Sequence, residues 1–282
     1  MVKPQTSYTP EKELTPAEKE IRLRNSMREM KQVLVAYSGG VDSAYLALVA
    51  AQELGADALC VLGVSPSVSQ HQRAEAESVA VRFGLNLRIV ETDEFSDPNY
   101  RANPVNRCYF CKTELYGRLA EIAQTEGYRF VLDGTNADDT GDHRPGRQAA
   151  AEKAVRSPLV EAGLTKEEIR YLSRQQNLPT WDKPASPCLA SRIAYGVPVT
   201  IERLSKVERG EALLRRLGFR EFRVRVHGEL ARIEIAPAEL EKALNRATTE
   251  QLANEFKGIG FRYVTLDLHG FRSGALNEVL SN

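Results

Sequence analysis

Four groups of residues in this chain carry side chains suited to chemistry. The first is Ser38-Gly39-Gly40-Val41-Asp42-Ser43. Paired glycines allow backbone angles and a close approach that a Cβ would block, and the two serines add hydroxyl donors. Such a turn at the start of a helix makes an anion site from unpaired backbone N–H groups and the helix dipole. Asp42 would repel a bare phosphate, so a bridging Mg²⁺ is expected with it. The stretch lacks the lysine of a Walker A loop and the spacing of a dinucleotide-binding G-x-G-x-x-G.

The second group is Asp133-Gly134-Thr135-Asn136-Ala137-Asp138-Asp139, followed by Gly141-Asp142-His143-Arg144-Pro145-Gly146. It reads either as an ordinary loop in which Asn136 or Asp138 caps a helix, or as a second wall of a nucleotide site. The third group is Cys108-x-x-Cys111 together with Cys188. A Cys-x-x-Cys pair is compatible with zinc, redox exchange or chance; structural zinc commonly uses two such pairs. Three thiolates suit an iron–sulfur cluster with one iron left open, and Cys188 alone also reads as a lone catalytic or inert thiol. Arg107, Lys112 and Arg192 nearby are expected to favour thiolates. Cys60, inside Ala58-Leu59-Cys60-Val61-Leu62, reads as a small core residue.

The fourth group is a charged strand. Alternation over Phe222–Val226 sends Phe222, Val224 and Val226 to one face and Arg223, Arg225 and His227 to the other. A solvated charge row is the plain reading. An anionic ligand competes with it, because the face carries cations and no anion.

These groups need elements to hold them. Val33–Tyr37 is an apolar run of strand length before the Gly-rich turn, and Ala44–Leu54 continues as a helix stopped by Gly55. Strands follow at 58–64, 87–90 and 130–132, with helices at 69–83 and 112–126. Apolar strands alternating with helices predict a parallel sheet covered on both faces, with ligands beyond the carboxyl ends of the strands. The turns at 38–43 and 133–136 both lie at such ends and should meet in one cleft. Residues 15–32 read as an amphipathic entry helix capped by Thr15, with Pro16 in its first turn. The stretches 91–107 and 177–199 are irregular and rich in proline, and long ordered loops are usually functional. Beyond them come a helix at 201–217, a hairpin at 222–235, helical sequence at 237–257 and a strand at 263–268. The expected architecture is α/β: a parallel-sheet domain over 1–195, disordered at 1–14, and a smaller α+β domain over 196–282.

The 282 residues hold 38 Lys plus Arg against 38 Asp plus Glu. A broadly basic nucleic-acid surface is therefore not expected. No apolar run is long enough to span a bilayer, and Met1-Val2-Lys3-Pro4-Gln5 lacks the apolar core of a signal peptide. The expectation is a soluble cytoplasmic protein that binds neither membrane nor nucleic acid and keeps its cysteines reduced.

Ser38–Ser43 matches the SGGxDS signature of the PP-loop ATP pyrophosphatases, which split ATP between the α and β phosphates. Three further stretches, beyond Asp133–Asp139, extend the likeness. They are His143-Arg144-Pro145-Gly146, Pro187-Cys188-Leu189-Ala190-Ser191-Arg192 and Gly270-Phe271-Arg272-Ser273-Gly274. Together these stretches resemble the LarE family, PP-loop sulfur transferases that build the nickel-pincer nucleotide cofactor of lactate racemase. The resemblance covers nearly the whole chain from about Met27. It implies that ATP adenylylates a carboxylate of pyridinium-3,5-biscarboxylic acid mononucleotide and that sulfur then replaces the activated oxygen. One branch of the family spends a single cysteine, at the Cys188 position, and ends with dehydroalanine there. Cys108 and Cys111 make this chain look like the three-cysteine branch, in which a [4Fe–4S] cluster on Cys108, Cys111 and Cys188 carries an extra sulfide on its open iron. A sulfide donor and a homo-oligomer, a hexamer by resemblance, are implied as well.

Residue types then suggest the roles. Ser38, Gly39, Gly40 and Ser43 bind phosphates, Asp42 holds Mg²⁺, and Gly134, Thr135 and Asn136 line the nucleotide. Ser191 and Arg192 hold the substrate's anionic end beside Cys188, and Arg223 and Arg225 hold its phosphate. Three rivals remain. A tRNA-thiolating PP-loop enzyme should bring a strongly basic surface, an amide-forming one would not need the three cysteines, and a nucleotide sensor would release no pyrophosphate.

Overall fold

The computed structural model describes residues 14–141 and 145–272. Asp142, His143, Arg144, Ser273 and Gly274, which belong to the motifs above, lie outside them. Eleven α-helices among the described residues are α1 (Pro16–Met30), α2 (Val41–Leu54), α3 (Gln70–Arg82), α4 (Pro98–Arg101), α5 (Arg107–Glu126), α6 (Pro145–Glu152), α7 (Pro158–Glu161), α8 (Lys166–Gln175), α9 (Ile201–Arg216), α10 (Leu240–Leu244) and α11 (Arg246–Ile259). The strands are β1 (Val33–Tyr37), β2 (Ala58–Val64), β3 (Asn86–Glu91), β4 (Phe130–Leu132), β5 (Phe222–His227), β6 (Leu230–Ile235) and β7 (Tyr263–Leu266).

The first four strands form one sheet in the order β3-β2-β1-β4, parallel throughout. β1 lies inside it, with Val33, Leu34, Val35 and Tyr37 all buried. Helix α2 is apolar nearly all round, and Ala44 to Ala50 are buried without interruption, as a helix enclosed between a sheet and other helices must be. It packs on β1, α1 and α8. Capping boxes fix three helix starts: Thr15 with Glu18, Ser69 with Gln72, and Thr165 with Glu168. The alternation of strand and helix read from the sequence is thus present as an α/β sheet, with a small mixed sheet beside it.

That second sheet has the order β5-β6-β7, β5 antiparallel and β7 parallel to β6. Its core joins Val224, Val226, Ile233 and Ile235 to Leu213, Leu214, Phe256 and Phe261. Tyr100, Leu189, Ala190 and Ile193 from the two irregular stretches belong to the same core, and Ile193 bridges Val226 as a parallel partner. The segment around Cys188 is therefore seated on the small sheet.

Two features differ from the periodicity reading. Helix α5 begins at Arg107 rather than Lys112, so Cys108 and Cys111 lie within its first five residues. Between 145 and 176 the chain forms α6, α7 and α8, which the reading of the sequence did not pick out.

Candidate active site

The turn after β1 has the geometry of an anion site. Gly40 caps α2 without a side-chain bond, and Gly39 takes φ +68°. A Cβ built on Gly39 would lie 2.6 Å from the Ala76 Cβ of α3, so this position tolerates glycine alone on two counts. Ser38 and Ser43 brace the turn through their hydroxyls, 2.9 Å apart, and the Ser38 N–H donates to Ser43 Oγ at 3.2 Å. Asp42, in the first turn of α2, is paired through Oδ2 with Lys166 Nζ at 2.5 Å. Its other oxygen, Oδ1, is buried without a hydrogen-bond partner. An orphaned carboxylate oxygen at an anion site suits a divalent cation, and Asp42 fits Mg²⁺ on that ground.

The 133–139 loop abuts this turn. A Cβ on Gly134 would meet the Ser43 nitrogen at 2.9 Å, which brings the two polar clusters into one cleft as their sheet positions predict. Much of the loop's polarity is spent internally. Asp133 is buried and accepts from Tyr116 Oη (3.2 Å), Ser157 Oγ (2.7 Å), and the Thr135 N–H and hydroxyl. Asn136 Oδ1 accepts from the backbone of Asp138 and Asp139, and Asp138 accepts from the Lys166 N–H at 2.7 Å. The capping reading of the loop therefore holds at Asn136 and Asp138, and the loop also lies against the phosphate turn. Lys112 reaches into the same region, 5.2 Å over the Tyr116 ring. Burial works against its charge, but Tyr116, Cys111 and Asp133 outweigh burial and hold the ammonium above the usual lysine value.

Cys108, Cys111 and Cys188 share one neighbourhood on two segments. A buried hub sets their register. Asn103 is fully buried at φ +56°. Its Nδ2 donates to the carbonyls of Ile193 (3.3 Å), Ala194 (2.8 Å) and Val197 (2.9 Å), and its Oδ1 accepts from Arg107. Arg107 in turn donates to the Ala190 carbonyl at 3.1 Å, and Leu189 N–H donates to Ser67 at 2.8 Å. The start of α5 and the Cys188 segment are thus locked together. The thiols do not behave as the sequence predicts. Burial first, then the neighbouring Cys188, pushes the Cys111 thiol up despite Lys112. Desolvation outweighs the cation there and opposes the expected thiolate, whereas Cys108 stands exposed. Arg107 shows the converse: burial opposes its charge, and the thiols of Cys188 and Cys108 outweigh burial. Among the described residues no three His, Cys, Asp or Glu side chains draw together tightly enough to hold one metal ion. Cys60 is buried, its thiol pushed up to about 12 by burial, in keeping with a core role.

The arginines divide. Arg192 is 2 % exposed, pairs with Glu211 at 2.7 Å and donates to the Pro187 and Cys188 carbonyls and to Ser191 Oγ. Ser191 Oγ itself donates to the Cys188 carbonyl at 2.7 Å. Arg225 is buried and bidentate on Glu234, at 3.0 and 2.9 Å, and holds the Ser191 carbonyl at 2.9 Å. The sequence reading found no anion on the strand face because the anion stands on β6, where Glu234 is in register with Arg223. Arg192 and Arg225 are therefore spent on shaping the Cys188 loop. Arg223 differs: it donates to the Phe222 and Ala185 carbonyls and stacks on Phe271 at 4.7 Å. Burial, with Arg192 close by, pulls it down to about 10, so it stays charged at neutral pH and an arriving anion would relieve it.

Sequence reasoning missed Asn103, Lys166, Lys183, Glu211 and Glu234. None belongs to a recognisable motif; only the irregular, proline-rich character of 177–199 marked the segment that carries Lys183. A groove of about 470 Å³ between α1 and α7 takes no residue from any of these groups. No described helix is long and apolar enough to cross a membrane.

No family model matches the chain. An uncharacterized protein of Synechocystis sp. is 47% identical over 92% of this chain and 97% of its own length. The pyridinium-3,5-bisthiocarboxylic acid mononucleotide synthase of Lactiplantibacillus plantarum is 36% identical over 95% of this chain and 96% of its own length. The glutamine-hydrolysing GMP synthase of Thermus thermophilus is 29% identical over 76% of this chain but only 46% of its own length.

Proposed function

The chain belongs to the family of pyridinium-3,5-bisthiocarboxylic acid mononucleotide synthases, LarE-type ATP-dependent sulfurtransferases of the PP-loop fold, and on that premise we propose how its residues divide the reaction. A carboxylate oxygen of pyridinium-3,5-biscarboxylic acid mononucleotide attacks the α-phosphorus of ATP, the bond to the bridging oxygen breaks, and pyrophosphate leaves. Ser38, Gly39, Gly40 and Ser43 receive the pyrophosphate with backbone N–H groups and hydroxyls at the positive end of α2. Mg²⁺ at Asp42 would neutralise charge on the departing group when bound. Gly134, Thr135 and Asn136 close the nucleotide side of the cleft, and Lys112 adds positive charge there.

The acyl-adenylate carbon is then open to sulfur, with AMP as the leaving group. Arg223 takes the substrate phosphate. Arg192 and Arg225 act through others: with Ser191 they hold the Cys188 loop in shape. Cys108, Cys111 and Cys188 would hold a [4Fe–4S] cluster, which supplies sulfur-donating chemistry when bound. The observation that carries this assignment is the Asn103–Arg107 hub, which registers the segment bearing Cys188 against the helix start bearing Cys108 and Cys111. The test is turnover of anaerobically purified protein with ATP, substrate and sulfide, followed by intact mass. AMP, pyrophosphate and thiocarboxylate with an unmodified Cys188 are expected. Dehydroalanine at 188, with Cys108→Ala and Cys111→Ala fully active, would replace the cluster by a sacrificial cysteine.

A further inference from the structure

Helix α3 links the phosphate turn to the cysteine segment along a single stripe. Gln72, Glu75 and Ala76 are spaced three and four residues apart and so share a face. Ala76 meets the turn: its carbonyl accepts from Tyr37 Oη at 2.9 Å, and its side chain backs Gly39. Gln72 holds the cysteine segment, donating to Ser186 O at 2.8 Å and Ser186 Oγ at 2.7 Å. Between them Glu75 holds Lys183 at 3.0 Å. The Lys183 ammonium also donates to the carbonyl of Gly39, within the turn, at 3.3 Å.

Lys183 is thus mostly buried, its side chain 18% exposed, with its charge at the lip of an anion site and a carboxylate standing in for the anion. Its backbone is fixed from below. Arg170 of α8 donates to the Trp181 carbonyl at 2.6 Å and to the Lys183 carbonyl at 2.8 Å, so the side chain can re-aim without moving the chain beneath it. A lysine is suited to this, because its ammonium is a compact charge on a flexible stem.

We propose that Lys183 is a further ligand for the pyrophosphate half of ATP, exchanging Glu75 for the β- and γ-phosphates. The inference rests on the ATP-cleaving reading above. Glu75 then serves as an internal competitor that keeps the lysine in place while the turn is empty.

The test is calorimetric titration of the full chain with inorganic pyrophosphate plus Mg²⁺, and separately with AMP, for wild type, Lys183→Ala and Glu75→Gln. Loss of one charge-assisted contact in a mostly buried site should weaken pyrophosphate about tenfold in Lys183→Ala, with AMP unchanged. Glu75→Gln should strengthen it severalfold, an effect that general damage to the site cannot produce. Wild type that binds no pyrophosphate would remove the ATP-cleaving reading itself. Wild type that binds it, with both variants equal to it, would overturn the role of Lys183 alone, as would an equal loss of AMP affinity. If Lys183→Ala does not fold, Glu75→Gln decides by itself: tighter binding supports the exchange and unchanged binding refutes it.

Discussion

Replacing Asn103 by alanine tests how the two cysteine-bearing segments are kept in register. The side chain uses both amide hydrogens on three carbonyls of residues 193–197 and its oxygen on Arg107. Three hydrogen-bonding valences at about 0.5–1.5 kcal/mol each, with Arg107 left short of a buried acceptor, sum to roughly 2–5 kcal/mol. Alanine adds about 1 kcal/mol because φ is +56° and asparagine tolerates that region better. An overall loss of roughly 3–6 kcal/mol is expected, and Asn103→Gly should recover about 1 kcal/mol of it. Urea unfolding followed by Trp181, the one tryptophan in the chain, measures the loss. Iodoacetamide labelling of Cys188 and Cys108 under native conditions measures the register, and both should label faster in the alanine variant. An Asn103→Ala protein with the wild-type urea midpoint and wild-type labelling rates would refute the hub.

Other perturbations follow from the same contacts. Asp42→Asn should cut Mg²⁺-dependent release of AMP and pyrophosphate while leaving the urea midpoint near wild type; ADP and phosphate as products would sink the phosphate-turn assignment. Glu234→Gln leaves Arg225 buried without its carboxylate and should cost about 3–5 kcal/mol, whereas Arg223→Ala should spare stability and weaken the substrate by about tenfold; the reverse ranking in melting and binding assays would return Arg223 to a structural role. Glu168 should show a pH signature. Burial pushes its carboxyl up, but Lys19 and the Thr165 cap outweigh burial and hold it below the usual range, so its contribution is present above the unfolded-state value and lost as pH falls through the folded one. Glu168→Gln should therefore cost about 1 kcal/mol at pH 7 and nothing in strong acid; a cost that persists in acid would contradict the pairing.

Local rules determined a large part of this protein. The apolar run Val33–Tyr37, the glycine pair and the capping residues Thr15 and Ser69 act within a few residues, so strand, turn and helix starts were legible before any fold was known. The meeting of the 38–43 and 133–136 turns was legible too, since parallel strands bring their carboxyl ends to one edge. What the sequence could not disclose is who spends whose charge. Arg192 and Arg225 look like free cations in their own segments. Only the fold brings Glu211 of α9 and Glu234 of β6 onto them, and a buried guanidinium takes the nearest carboxylate because desolvation is costly unpaired. The thiols teach the same lesson in reverse: adjacent cations suggested thiolates, but tertiary burial and mutual repulsion prevail at Cys111. Asn103 and Lys183 went unread because their partners lie on segments distant in the chain, and a hydrogen bond between such segments has no period or spacing by which sequence could announce it.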